Sequence, residues 1–303
     1  GFALMTEAVG LAGIAEIPVV IADVQRPGPA TGLPTRTGQG DLLFTINAAQ
    51  DDVPLMVLAP REHEDAFRQG FRAFNLADKY QIPVIILSDQ YLADSAKNVN
   101  AFDFNSLEID YNLISDHKIE NITDYKRYKI TNSGLSPRSY PGQIPGQVMI
   151  VDSDEHDEYG HIIEDSETRN AMVEKRMRKI EKLIKDDLEE PLYQGEKNVD
   201  FVLSGWGSTY GALEEAQRIL LDEGINVGLL SFSDLWPLPT GELNRLAEKG
   251  VKFVVVENNS TAQFARLIMS ETGIRVDKNI LKYDGRPFTG KEISRRFKEE
   301  VME

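Results

Sequence analysis

Apolar positions along the first hundred residues switch between two periods. Leu4 to Ala15 is a stretch of small and apolar residues that predicts a helix. Pro18 to Val24 is a continuous, mostly β-branched run, the pattern of a strand buried on both faces. After a loop rich in glycine and proline, Asp41 to Gln50 predicts a helix and Pro54 to Ala59 a second buried strand. Phe67, Phe71, Phe74 and Leu76 to Ala77 recur at helical spacing within His63 to Tyr80, and Pro83 to Ser88 follows as a third strand. Strands alternating with helices predict a parallel sheet with right-handed crossovers.

From about Val99 to Val151 the periodicity dissolves into Asn, Asp, Tyr and Lys, and Ser136 to Gly146 holds three prolines and two glycines. That composition predicts an irregular connector across the surface. Thr168 to Glu190 then reads as one long helix, with Val173, Met177, Ile180, Ile184 and Leu188 on its apolar stripe and its charged residues on a solvated outer face. A second α/β unit follows. Strands are expected at Phe201–Ser204, Asn226–Ser231, Val251–Glu257 and Asn279–Tyr283, and helices at Tyr210–Glu223, Gly241–Lys249, Thr261–Thr272 and from Gly290 onward. The fold class is therefore α/β, with parallel-sheet domains over 1–98 and 198–303 joined by a connector over 99–197 that contains the long helix 168–190.

Composition narrows the function classes. The 303 residues leave room for two cores. The chain carries 49 acidic against 33 basic residues, a net charge of −16, which argues against a nucleic-acid partner because phosphate backbones need a basic face. Cysteine is absent, so disulfides, thiolate zinc sites, cysteine nucleophiles and cysteine-ligated iron–sulfur clusters are excluded within this chain. It also makes a cytoplasmic home the expectation. The longest apolar runs are strand-sized, so no membrane-spanning segment is expected. Gly1-Phe2-Ala3-Leu4-Met5 lacks the charged region and cleavage site of a signal peptide. Helix-like sequence starts at once, so the chain is expected to begin partway through a domain.

The first candidate for chemistry is the loop Gln25–Thr35, which directly follows a predicted buried strand, at the edge where open α/β sheets bind ligands. Its eleven residues include one Arg, two Thr, two Gly and three Pro. Proline fixes φ and glycine adopts conformations closed to other residues, so the loop is expected to be stiff and sharply folded. Arg26 is able to hold a carboxylate through two parallel hydrogen bonds, with Thr31 or Thr35 adding a hydroxyl. By residue types alone, a rigid turn with an exposed arginine is the stronger of the two readings. Gly205 to Gly211 also follows a strand and opens a helix. It permits a phosphate at a helix N-terminus, but packing and capping by Ser208 or Thr209 account for it better, and no Gly-Lys-Ser/Thr is present. Asp152 to His161 is rich in oxygen and nitrogen donors but matches no zinc or calcium spacing, so no metal site is assigned. His63 and His117 are isolated, and no Ser/His/Asp arrangement is readable.

Several segments together resemble one family. They are Gly1 to Glu7, Gln25 to Thr35 with Gln39-Gly40-Asp41, Ala73 to Ala77, Leu87 to Leu92, Asp154 to His161, Gly205 to Gly211, and Val256-Glu257-Asn258-Asn259. In this order, nearly end to end, they resemble the α subunit of thiamine-diphosphate-dependent 2-oxoacid:ferredoxin oxidoreductases, lacking its N-terminal part. The resemblance implies that 1–98 is the C-terminal portion of a pyrimidine-side thiamine domain and 198–303 a transketolase-C-terminal-like domain. It implies CoA-dependent oxidative decarboxylation of a 2-oxoacid, 2-oxoglutarate or pyruvate, with ferredoxin as acceptor. Matched position by position, Arg26, Thr35 and Thr31 are the implied substrate-binding residues, and Ala30 stands where the family commonly has a serine. No catalytic residue is implied in this chain, because the glutamate that contacts the aminopyrimidine is expected upstream; Glu7 belongs to a later motif. Thiamine diphosphate and Mg2+ are expected at the interface with a partner, a cysteine-bearing β subunit that holds a [4Fe-4S] cluster. A γ-type domain, fused upstream or separate, is also implied. Two other readings remain open from the residues: a ferredoxin-independent transketolase or decarboxylase relative, and a non-enzymatic phosphate- or nucleotide-binding module.

Overall fold

The computed structural model describes residues 1–119 and 122–302. A 3-10 turn at Phe2–Met5 leads into helix α1 (Thr6–Ile14), followed by β1 (Val19–Gln25), α2 (Leu42–Ile46), β2 (Met56–Leu58), α3 (His63–Tyr80), β3 (Pro83–Asp89) and the short α4 (Gln90–Asp94). The connector holds one helical turn, α5 (Asp116–Ile119), before the long α6 (Ser166–Asp186). The second unit runs β4 (Leu192–Gln194), β5 (Phe201–Trp206), α7 (Tyr210–Asp222), β6 (Val227–Phe232), β7 (Asp234–Trp236), α8 (Gly241–Glu248), β8 (Lys252–Glu257), α9 (Gln263–Thr272), β9 (Lys278–Leu281) and α10 (Gly290–Val301). Among the described residues no helix is long and apolar enough to cross a membrane.

Two sheets result, ordered β1-β3-β2-β7 and β4-β6-β5-β8-β9. The expected parallel pairing holds for β1, β3 and β2 and for β6, β5, β8 and β9. Each sheet also gains an antiparallel edge strand, β7 against β2 and β4 against β6, in segments with too few apolar residues to announce a strand. The β7 edge stitches the two units together. The chain leaves β6 at Phe232 and enters the other sheet at Asp234, with Ala59 N–H donating to Ser233 C=O at 2.6 Å between them. Arg72 on α3 holds Asp234 through two bonds of 2.6 and 2.8 Å. One continuous core, including Val57, Ile85, Leu87, Trp206, Phe232, Phe253 and Phe264, fills the space between the sheets.

Two expectations are corrected. β1 was expected to be covered on both faces, but it is an edge strand whose Val24 is 43% exposed; no described element of this chain lies outside it. The long helix ends at Asp186 rather than Glu190, and its buried face is not the apolar stripe. Lys175, Arg176 and Lys179 are buried with Met172 and Leu183, whereas Ile184 is 47% exposed. The reason is a paired charge. Glu16, fully buried at a left-handed φ of 52°, accepts from Lys175 and forms an ion pair with Lys179 at 2.5 Å. A buried carboxylate in reach of two ammonium groups compensates the desolvation that would otherwise expel all three. Shorter extents than expected, such as α2 ending at Ile46, reflect loops tightened by hydrogen bonds rather than a different topology.

Candidate substrate-loop site

The segment after β1 folds back on itself into a necked loop. At the neck Gln25, fully buried, donates to Ser88 C=O at 3.0 Å and accepts from Asp41 N–H at 3.0 Å, tying the loop's two ends to β3. One step outward, Gly38 packs on Pro27: a Cβ there would stand 3.3–3.5 Å from the proline ring. Gly32 turns the tip at φ 50°, and a Cβ at that position would lie 1.9 Å from Pro27 C=O, the same carbonyl that accepts from Leu33 N–H at 3.0 Å. Only glycine permits that approach. The sharp fold expected from its prolines and glycines is the fold observed.

The three substrate-binding candidates occupy different parts of it. Arg26 sits half-buried at the neck, and its Nη1 is shut off from solvent without an acceptor. Thr31 and Thr35 lie on the exposed tip. Thr35 lines a cleft of about 270 Å3 with Arg36, Thr37, Tyr91 and Arg286, and neither Arg26 nor Thr31 lines that cleft. This chain's own atoms therefore do not gather the three into one cavity. Thr37, which the sequence reading passed over, is buried and donates to Asp89 at 3.1 Å. Burial pushes the Asp89 carboxyl up, opposed by the hydroxyl and amide donors that face it.

Asp41 faces Arg26, and Asp23 faces Asp41 in turn. Burial raises Asp41, while the Arg26 guanidinium opposes the shift. Asp23, with one oxygen buried and unpartnered, is pushed up to about 6, first by burial and then by the charge of Asp41. A lone acid inside the apolar run Val19–Val24 is the sign of this pair in the sequence.

The loop's exit is held by the second unit. In the second sheet β6 and β8 flank β5 on opposite sides, so the chain reverses direction between β5 and β8; ligands of open α/β sheets enter at such a crevice. Here it is occupied by Gln39. Its side chain donates to Trp206 C=O at 2.9 Å and accepts from Asn258 N–H at 3.0 Å. Its backbone N–H donates to Asn258 C=O at 2.8 Å, and its carbonyl accepts from Asn259 Nδ2 at 3.0 Å. The Gly205–Gly211 turn serves packing. Thr209 Oγ1 donates to Trp206 C=O at 2.7 Å, and a Cβ on Gly205 would come within 2.6 Å of Leu213. These contacts fit the packing half of that reading, whereas neither Ser208 nor Thr209 caps α7 through its side chain.

The acidic-histidine segment is structural. His156 is fully buried, with Nδ1 3.1 Å from Asp154 C=O. Glu155, held down to about 2, is opposed by burial but outweighed by the Arg176 and Arg169 guanidinium groups that grip it. Among the described residues no group of three or more His, Asp or Glu is placed to hold a metal ion.

Two α/β units joined across their carboxyl edges, with a donor-bearing loop between them, form a domain pair of the thiamine-enzyme type. Residues 1–175 match the family described as pyruvate flavodoxin/ferredoxin oxidoreductase, thiamine diP-binding, and residues 199–293 match pyruvate:ferredoxin oxidoreductase core domain II. The chain belongs to the 2-oxoacid:ferredoxin oxidoreductase family. It is 40% identical, over 97% of its length, to the α subunit of 2-oxoacid:ferredoxin oxidoreductase 1 from Sulfurisphaera tokodaii, covering 46% of that protein. It is 31% identical to the 2-oxoglutarate oxidoreductase subunit KorA of Mycobacterium tuberculosis, over 97% of this chain and 44% of that one. The solved 2-oxoglutarate:ferredoxin oxidoreductase from Magnetococcus marinus, with 2-oxoglutarate, coenzyme A and succinyl-CoA bound, superposes with a TM-score of 0.91 at 34% identity. It covers 99% of this chain and 51% of that one. The chain thus spans about half the length of these relatives.

Proposed function

We propose that this chain is the substrate-loop portion of the α subunit of a CoA-dependent 2-oxoacid:ferredoxin oxidoreductase. Its loop Gln25–Thr35 holds the carboxylate end of a 2-oxoacid such as 2-oxoglutarate or pyruvate. The observation that carries this reading is Arg26: a cation fixed at the neck of a stiff loop, with a guanidinium nitrogen that no acceptor of this chain satisfies. An unpaired buried donor is costly, and a substrate carboxylate relieves that cost through a charge-assisted bond. Thr35 and Thr31, on the exposed tip of the same loop, contribute hydroxyls once a partner surface closes over it.

The overall reaction converts a 2-oxoacid carboxylate, CoA and two oxidised ferredoxins into acyl-CoA, carbon dioxide, two reduced ferredoxins and one proton. Thiamine diphosphate, when bound, would supply the electron sink for the bonding pair left on the substrate carbon when carbon dioxide departs. This chain's part is orientation: a rigid loop holds the oxoacid in a fixed pose toward that centre, which lowers the entropic share of the barrier. Arg26 should not neutralise the carboxylate too completely, since binding ground state and transition state equally does not raise kcat. We assign thiamine diphosphate and Mg2+ to the interface with a cysteine-bearing β subunit that also holds a [4Fe-4S] cluster, in keeping with the absence of cysteine here. A γ-type domain, ferredoxin and a cytoplasmic location complete the reading; a nucleic-acid or membrane partner does not belong to it. Arg26→Ala in the assembled enzyme is the test: the KM for the 2-oxoacid rises, and unchanged kinetics sink the assignment.

A further inference from the structure

The second unit carries no candidate for chemistry of its own, yet it devotes its best-placed crevice to one glutamine of the first. Gln39 is 1% exposed, and both its side-chain atoms and its backbone N–H and C=O are bonded to Trp206, Asn258 and Asn259. The clasp extends along the chain beyond it. Gln263 donates to Gly40 C=O at 2.7 Å and accepts from Leu43 N–H at 3.0 Å.

The socket itself is anchored. The fully buried Glu257 carboxylate accepts from Asn259 Nδ2 at 2.5 Å and from Phe264 N–H at 3.0 and 3.1 Å, which fixes the turn between β8 and α9. Asn259 Oδ1 in turn accepts from Thr261 N–H at 3.1 Å. A buried carboxylate satisfied by backbone amides is a rigid support, because each bond would leave an unpaired group if it broke.

From Gln39 the path to Arg26 is short. Gly38, its neighbour in sequence, packs on the ring of Pro27, and Pro27 is bonded to Arg26. Asp41, two residues on, ties back to Gln25 on the other side of Arg26. Arg26 is therefore framed by two residues, Gln25 and Pro27, whose positions depend on where the Gly38–Asp41 segment is pinned.

We propose that Gln39 is a positioning residue for the 2-oxoacid: docked in the switch crevice of the second unit, it sets the pose of Arg26 through Gly38 and Pro27. The inference rests on the substrate role proposed for Arg26. On this account the second unit is the jig that preorganises the loop.

The test is a double-mutant cycle in the assembled enzyme, with Gln39→Ala, Arg26→Ala and the pair. Gln39→Ala is expected to raise the KM for the 2-oxoacid about tenfold while kcat falls less than threefold and the KM for CoA and for ferredoxin stays within twofold. The double variant is expected to be no worse than Arg26→Ala alone, because a residue that acts through Arg26 has nothing left to position. Asn259→Ser, which cuts the same clasp from the other side, should reproduce the selective KM rise. Additive effects in the cycle, or all three KM values rising together, overturn the proposal, as does joint loss of assembly in the Gln39 and Asn259 variants. If Arg26→Ala itself leaves the KM unchanged, the substrate reading has failed instead.

Discussion

Replacing Glu16 by Gln should be among the most damaging single changes in the chain. The Glu16 carboxylate is fully buried beside Lys175 and Lys179, which are buried too, and Arg127 approaches its backbone carbonyl at 2.6 Å. Arg127 also donates to Gln81 Oε1 at 2.8 Å, and Lys179 to Gln81 C=O at 3.1 Å. One negative charge thus serves three positive ones. Glu16 is held down to about 2: burial opposes this shift, and the neighbouring lysines and arginine outweigh it. Burial pushes Lys175 and Lys179 down. Removing one member of such a cluster typically costs about 3–5 kcal/mol, because the remaining charges stay buried and uncompensated. For a chain of this size each kcal/mol moves Tm by about 2–4 °C, so Glu16→Gln should lower Tm by about 6–20 °C. The variant Glu16→Met/Lys175→Met/Lys179→Met removes the carboxylate and both ammonium groups together, leaves Arg127 its bonds to the residue-16 carbonyl and Gln81 Oε1, and should lose far less, since a buried ionic group exchanged for apolar side chains is often neutral. In wild type, the Glu16 contribution is complete above 4.5, the unfolded-state value, and is lost as pH falls toward about 2. Differential scanning calorimetry of the single and triple variants reads both effects. A single variant within about 1 kcal/mol of wild type, or a triple variant that falls as far as the single, would refute the reasoning.

Two further outcomes concern the loop. Gly32→Ala should distort it, because a left-handed φ and a Cβ 1.9 Å from Pro27 C=O both oppose any side chain; the KM for the 2-oxoacid should rise at least fivefold, read in steady-state assays, with thiamine content unchanged. Asp23→Asn should stabilise the protein above neutral pH. Its carboxyl titrates at about 6 in the fold against 3.8 unfolded, so the penalty for its charge is absent below 3.8, grows as pH rises, and is complete above about 6. Allowing for solvent screening the gain is about 1–2 kcal/mol, visible as a Tm increase at pH 7.5 and none at pH 3.5; an equal shift at both would contradict the assignment.

The sheet cores were legible because their strands are short apolar runs set between helices of clear period. Val57 and Ile85, Val202 and Val254 lie where that pattern puts them. The long helix misled because periodicity counts a lysine as a surface residue. Lys175 and Lys179 are inside only because Glu16, some 160 positions away along the chain, comes to meet them. β7 was invisible for a similar reason: three residues pair with β2 because of what the other unit offers, not because of their own pattern. At the site, the stiffness of Gln25–Thr35 followed directly from its prolines and glycines. The partners of Gln39 did not, since a glutamine in a loop carries no sign of where it docks. Trp206 and Asn258 are bonded to it across separations of 167 and 219 residues. Glu257 sat in a recognised motif, but only the fold reveals its carboxylate as the anchor of a turn.

The steady-state KM of Arg26→Ala in the assembled enzyme, with thiamine content and Tm measured alongside, tests the central claim most directly. A lost charged hydrogen bond of about 1.5–3 kcal/mol predicts a rise in the KM for the 2-oxoacid of roughly ten- to hundredfold, with CoA and ferredoxin kinetics and thiamine content unchanged. A KM for the 2-oxoacid equal to that of wild type would contradict the claim that this loop holds the substrate.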